Sequence, residues 1–368
     1  QKTLTAMRDV LVGIEPSEVL TCGITNQRET TLIWNKKTGE CLAPAIVWQD
    51  RRTAEYCQSL IDYSPMIQEK TGLLPDAYFS ASKLHWLLQN NAEARRLAEQ
   101  ELLAFGTIDT FLIWRLTQGA EHATDCTNAS RTMLYNIHQQ VWDDELLSLF
   151  AIPKSVLPQV KDSDAHFGLI AAEHLGFALP ITGVAGDQQA ALIGQGCFAA
   201  GMVKATFGTG AFLLLNTGEQ PVKSENRLLT TIAYKIKGQI AYGLEGSIYH
   251  AGTTVKWLRD EMKLINSSGE TEELAASLAS NENVYLVSSF TGLGAPYWLS
   301  TPGAMICGLS RSTNRAHIAR AALEGVCYQT REVLRCMRED SHLALSLLRV
   351  DGGMADNRWF LQFLADQC

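Results

Sequence analysis

Along the chain, apolar residues alternate in some stretches and recur every three to four positions in others, so strands and helices are mixed throughout. From Val19, "VLTCGIT" and "TTLIWN" read as strands, followed by the turn "KKTG" and by "PAIVWQD", which is apolar enough to join a central sheet. "SASKLHWLLQNNAEARRLAEQELL" is predicted as one helix entered through Ser80 or Ser82, and "TIDTFLIWRLTQG" as another, closed by Gly119. "AEHATDCTNASRTMLYN" is crowded with short polar side chains that bond to backbone and make turns and caps. After it, "LPITGVAG" reads as a buried strand and "QQAALIGQG" as a helix of small residues.

The second half opens on hairpin patterns. "GMVKATFGTGAFLLLNTG" is one, and "LLTTIAYKIKGQIAYGLEG" is another with Lys237-Gly238 as its tight turn. "AGTTVKWLRDEMKLI" reads as a helix. A longer one runs through "RAHIARAALEGVCYQTREVLRCM", where Ile318, Ala322, Val326, Val333 and Met337 keep near-helical spacing. The chain closes on "LLRVDGGMADNRWFLQFL", a strand, a double glycine and a helix start. Both regions, before and after about residue 195, mix strands with helices, which predicts two α/β domains, 1–195 and 196–368, around a central cleft.

Composition narrows the function. At 368 residues the chain is long enough for two cores, and a net charge of -8 without a Lys/Arg-rich run argues against nucleic acid or a membrane surface. No apolar run approaches the length of a membrane span and no signal-peptide pattern is present, so the chain reads as cytoplasmic. Its 9 Cys include no C-x-x-C pair and its His no H-x-x-x-H spacing, a pattern of reduced, buried thiols that predicts no protein-bound transition metal.

Several stretches carry candidate chemistry. In "GVAGDQQAAL", Asp187 stands where a strand passes into a helix, as a helix cap or as an acid-base group. Three glycine turns could present backbone amides to an anion: Gly208-Thr209-Gly210 between β-rich runs, Gly252 at a helix entrance, and Gly352-Gly353 after a strand. Each is also an ordinary turn. No Walker loop and no G-x-G-x-x-G after the first strand occurs, which disfavours P-loop ATPases and Rossmann dehydrogenases. Arg28 and Glu29 adjoin at a turn between strands, as an ion pair or as ligand contacts, and Trp48 lies among polar groups, where an indole face suits a polyol's carbon chain. A phosphate cradle together with a carboxylate that deprotonates an accepting hydroxyl suits phosphoryl transfer.

Taken in order, "GITNQRETT", "AIVWQDRR", "TDCTNASRTMLYNIH", "GVAGDQQAALIGQ", "FGTGAFLLLNTGE", "SENRLLTTIA", "SFTGLGAPYW" and "RVDGGMADN" resemble the FGGY carbohydrate kinases, in particular those that phosphorylate glycerol. The resemblance covers the whole chain. It implies an actin-like ATPase fold of two ribonuclease H-like domains and ATP-dependent conversion of glycerol to sn-glycerol 3-phosphate, with Mg²⁺. It implies that glycerol is held by Arg28, Glu29, Trp48, Cys126, Asp187, Gln188 and Phe212, that Asp187 is the catalytic base and a metal contact, and that Gly208, Thr209, Gly252, Lys256, Gly353 and Asn357 hold the nucleotide. A homodimer or homotetramer is the family's habit.

The chain departs from the family pattern in places. Cys126 stands where the resemblance leads us to expect Tyr, Lys256 where Gln is usual, and Leu299 where Asp follows "PYW". No "GGKGGTR"-like loop for fructose 1,6-bisphosphate occurs, so control through such a loop is not expected. The family's opening "DxGTTSSR"-like turn and its final segment lie outside this sequence, which reads as an internal fragment, inactive or poorly folded by itself. The alternatives are a kinase for another polyol or a ketose, and a non-catalytic actin-like nucleotide-binding protein; Asp187, as a base, argues against the second.

Overall fold

A computed structural model describes residues 1–299 and 303–368. They divide into two compact units, one of residues 1–190 and 231–242, the other of residues 191–230 and 243–368. Residues 231–242 join the first unit because Ile232 and Tyr242 bury against Cys126, Ala129, Tyr135 and Ile137, and the Tyr242 hydroxyl donates to Ile137 O at 2.8 Å. Periodicity gives no sign of such a long-range return.

In the first unit the strands are β1 Cys22–Asn26, β2 Leu32–Asn35, β3 Leu103–Gly106, β4 Ala123–Asp125, β5 Tyr135–Asn136, β6 Val141–Trp142, β7 Gln159–Lys161, β8 Leu169–Ile170 and β9 Leu179–Gly186. The sheet that matters most has the order β1-β9-β8, with β1 and β9 parallel and Asn26 opposite Gly186. Both strands therefore end together, and whatever follows each in sequence is delivered to one edge, the usual ligand-binding end of a parallel sheet. Ile24, Ile181 and Val184 pin this sheet to Ile113, Leu116 and Phe167.

Two local expectations are corrected. The stretch "PAIVWQD" adds no strand: it makes a single bridge, Thr31 to Ile46, and leaves Val47 exposed. The single long helix is two, Ser80–Asn90 and Ala92–Glu99, entered from Phe79, with Ser80 already inside it. Asn91 breaks the run, since its extended backbone lets its side chain cap the amide of Ala94 at 3.0 Å, the geometry Asn prefers to a helix interior.

The second unit is built on β10 Met202–Phe207, β11 Ala211–Gly218, β14 Tyr285–Val287, β15 Met305–Cys307 and β16 Leu347–Asp351, together with the ends of β12 Leu229–Ile236 and β13 Gln239–Ile248 that lie outside residues 231–242. The main sheet has the order β12-β13-β11-β10-β16, with β10 antiparallel to β11 and parallel to β16. Lys237 and Gly238 both have positive φ, as a two-residue hairpin turn requires. The helix Arg315–Ser341, capped by Asn314, lays Val326, Cys327, Val333 and Met337 into the core. No helix among the described residues is long and apolar enough to cross a membrane.

A half-buried imidazole makes the first unit acid-sensitive. His122 packs edge-on to Trp34 at 5.5 Å and donates Nε2–H to Phe105 O at 2.8 Å, and burial pushes its pKa down to about 4. The folded value lies below the unfolded one, near 6.5, so the stability it represents is complete above pH 6.5 and is lost as the pH falls toward 4. Unfolding free energies at pH 7 and pH 4.5 should therefore fall further for the wild type than for His122→Asn, by on the order of 1 kcal/mol.

Candidate active site

The register of β1 and β9 brings Arg28 and Glu29 beside Asp187 in the first unit. Arg28 is 1% and Glu29 2% exposed, whereas the Asp187 side chain is 43% exposed. Arg28 Nε lies 3.2 Å from Asp187 Oδ1 and 3.6 Å from Glu29 Oε1, and its Nη1 donates to Gln189 Oε1 at 3.2 Å. The guanidinium stem passes directly over Gly186, where a Cβ would come within 2.6 Å of Arg28 Cδ, so the glycine of "AGDQQ" clears its path. Asp187 is the first residue of the helix Asp187–Gly194, and its carboxylate accepts from Gln188 N at 2.8 Å and Gln188 Nε2 at 3.2 Å. An N-cap serves the amides two and three residues on. Asp187 instead turns its carboxylate outward, half open to solvent.

Glu29 is held from behind. Arg131, fully buried, donates Nε–H to Glu29 Oε1 at 2.8 Å, and its guanidinium lies 5.8 Å from the ring of Tyr78 and 5.3 Å from that of Phe79. Tyr78 packs edge-on against Trp48, with ring centroids 5.6 Å apart, so the two half-buried aromatics form one wall. Tyr78 went unnoticed in the sequence. Its signal there is only a Tyr in "DAYFS" at a helix entrance, and its partner is distant along the chain.

The polar stretch "TDCTNASRT" acts as scaffolding. Asp125 caps the short helix Cys126–Ala129 through the amides of Thr127 and Asn128, and Ser163 Oγ donates to it at 2.8 Å. Thr127 Oγ1 accepts from Gly186 N at 2.9 Å, directly before Asp187. Asn26 Nδ2 donates to Asn128 Oδ1 at 3.0 Å and to Asp109 Oδ1 at 3.1 Å, directly before Gln27. Burial pushes Asp109 up to about 6 despite hydrogen bonds from Thr107 and Thr124. Cys126, expected to touch substrate, is 2% exposed: its thiol faces Ser163 Oγ at 3.7 Å inside the cluster of Tyr135, Ile137 and Tyr242. It offers no surface to a ligand, and burial holds the thiol well above its ordinary pKa.

In the second unit the three glycine turns abut. Gly208 O accepts from Gly252 N at 2.9 Å, and Thr209 O accepts from Thr253 N at 3.0 Å and Thr253 Oγ1 at 2.6 Å. A Cβ on Gly252 would sit 2.5 Å from Gly208 O, and one on Gly210 2.5 Å from Ile248 O. Gly352 has φ +91° and presses on the Phe207 carbonyl. Gly208 and Thr209 are exposed, as an anion cradle requires. Phe212 follows on β11 opposite Thr206, and Lys256 is exposed on the helix Gly252–Asp260. Gly353 opens a 3₁₀ turn through Asp356, so the double glycine does not lead straight into an α-helix. That helix, Arg358–Gln367, is capped by Asn357, whose Oδ1 accepts from Phe360 N at 2.8 Å and whose Nδ2 donates to Thr271 Oγ1 at 3.2 Å. Leu299 points to solvent and closes a small loop by bridging to Leu293.

The N-terminal domain model of the FGGY family of carbohydrate kinases matches residues 1–194, and the C-terminal domain model matches residues 203–368. The chain belongs to this family. Among curated relatives of this FGGY chain, Glycerol kinase 1 of Pseudomonas aeruginosa is 54% identical over 99% of the chain and 74% of its own length. The glycerol kinase of Alcanivorax borkumensis is 55% identical over 96% of the chain and 71% of its own length. Among solved structures, Plasmodium falciparum glycerol kinase with ADP superposes with a TM-score of 0.91 at 41% identity, covering 99% of this chain and 74% of that one. A xylulose kinase from Rhodospirillum rubrum shares the fold, at TM-score 0.82 and 20% identity, over 98% of this chain and 73% of that one. The two-domain FGGY architecture accounts for both halves of this mixed α/β chain, and its actin-like ATPase fold is the one anticipated from the motifs.

The contrast between neighbouring glycines of the FGGY chain is measurable. Gly352→Ala adds a Cβ against backbone at a left-handed φ and should destabilise the second unit by about 2 kcal/mol or more, whereas Gly353→Ala, which meets open space, should stay within about 0.5 kcal/mol. Denaturant unfolding of the two variants side by side checks this.

Proposed function

We propose that the chain carries the ATP-dependent phosphorylation of glycerol to sn-glycerol 3-phosphate. The observation that carries this reading is the Arg28, Glu29 and Asp187 cluster at the end of the parallel β1–β9 pair, in a chain 54% identical to a glycerol kinase over 99% of its length. Buried, fixed Arg28 and Glu29 supply donors and acceptors at set positions, which suits the adjacent hydroxyls of a small polyol. Trp48 and Tyr78 form the apolar wall for its carbons. Gln188, whose amide lies against Asp187, adds a further polar contact.

Asp187 is the group in this set whose carboxylate is half open, and we assign it as general base. It accepts the proton of a terminal hydroxyl as that oxygen attacks the γ-phosphorus of ATP in line, the bond to the ADP oxygen breaks, and ADP leaves with the electron pair. Arg28 at 3.2 Å orients the carboxylate. The exposed Gly208-Thr209 turn is the proposed phosphate contact, with Gly252 and Lys256 at its border and Gly353 and Asn357 toward the adenosine.

Mg²⁺ is typically held by one or two carboxylates with phosphate oxygens and waters, and a carboxylate as open as Asp187 fits that mode. Among the described residues no cluster of three or more His, Cys, Asp or Glu stands ready to hold a metal ion. When bound, Mg²⁺ supplies neutralisation of charge on the transferring phosphoryl group. All nine cysteines are free thiols, which suits a reducing cytoplasm.

Asp187→Asn keeps the shape and loses the base. It should lower kcat for glycerol by roughly 10²–10⁴-fold while the circular dichroism spectrum and melting temperature stay close to wild type. A folded variant that turns over within about threefold of wild type would remove Asp187 from this role.

A further inference from the structure

Lys83 sits in the first turn of the helix Ser80–Asn90 and is fully buried. A buried ammonium is costly, and at a helix N-terminus it also opposes the dipole, so stability alone favours an apolar residue here. Its Nζ donates to Glu29 O at 2.8 Å and to Tyr78 O at 2.7 Å. Both acceptors are main-chain carbonyls, one on the turn that carries the Glu29 carboxylate, the other on the segment that carries the Tyr78 ring. Asp76 fixes the other side of Tyr78 by accepting its amide at 2.8 Å, and is itself clamped by Arg51 at 2.6 and 3.1 Å. Burial pushes the lysine down to about 8 against the raising influence of Glu29, Asp50 and Asp76, which is the mark of a charge tolerated rather than comfortably paired.

We propose that Lys83 is a positioning residue for the polyol, one buried ammonium that locks the Glu29 turn and the Tyr78 wall at a set separation and so sets acceptor affinity without touching substrate. The proposal rests on the reading of this end of the first unit as the glycerol pocket. It explains why a cation occupies a site where neither hydrogen bond goes to a carboxylate: a single group with three donors can hold two backbones that no regular secondary structure joins. An apolar side chain of the same length fills the space and leaves the two walls free to drift.

Lys83→Met in the full chain should raise KM for glycerol about 10- to 100-fold while KM for ATP stays within about twofold, because a displacement near 1 Å in the pocket costs that much in alignment. Since loss of the ammonium can also prevent folding, a second measurement uses the wild type: in ¹⁵N-lysine-labelled protein the Lys83 Nζ resonance should move on adding glycerol and stay put on adding ADP. Unchanged glycerol KM, an equal rise in both KM values, or an unmoved resonance overturns the proposal. Should the wild type fail to phosphorylate glycerol at all, the reading of the pocket falls and this inference with it; wild-type turnover with an unaffected Lys83→Met variant sinks the inference alone.

Discussion

The parallel pairing of β1 with β9, with Asn26 opposite Gly186, is the constraint on which the rest of the first unit depends. A one-residue slip would turn each strand's buried face outward and carry Arg28 away from Asp187. The pairing is secured from both sides. Ile24, Ile181 and Val184 anchor it in the core, and at the open end Asn26, Thr127 and Asn128 tie the last strand residues to Asp109 and Asp125. Buried carboxylates of this kind are tolerable only when their lone pairs are filled, and here Thr107, Thr124, Thr127 and Ser163 fill them.

On that frame the chain places an expensive concentration of charge. Arg28, Arg131 and Lys83 are all buried around one buried carboxylate, Glu29, and one half-open carboxylate, Asp187. Removing a partner would leave an uncompensated ion, so the set is rigid as well as costly. Rigidity is what a small, flexible acceptor needs, since little of its own surface is available to orient it. The second unit uses other means. There Gly210, Gly252 and Gly352 let backbones approach so closely that any side chain would collide, and the exposed turn that results offers main-chain groups rather than charged side chains.

Much of this was legible in the sequence where it depended on local order. β1, β9, the hairpins and the helix Arg315–Ser341 announce themselves by periodicity, and the junction at Asp187 by its glycines and small residues. What escaped depends on contacts far apart along the chain. Tyr78 meets Trp48, Lys83 meets Glu29, and Ile232 and Tyr242 return to Cys126 without any periodic trace. The burial of Cys126 escaped for the same reason: a position in a motif says which residue stands there, and only the fold surrounds it with Tyr135, Ile137 and Tyr242. The break at Asn91 is a subtler case, because the helix-forming pattern continues across it and only the capping preference of Asn marks the joint.

The acceptor preference of the wild-type protein tests the account most directly, by following ADP release with glycerol, erythritol and xylulose in parallel. Fixed polar groups facing one aromatic wall should favour glycerol over both longer acceptors by more than about tenfold in kcat/KM. A higher kcat/KM for xylulose or erythritol would contradict the assignment of Arg28, Glu29 and the Trp48–Tyr78 wall to a three-carbon polyol.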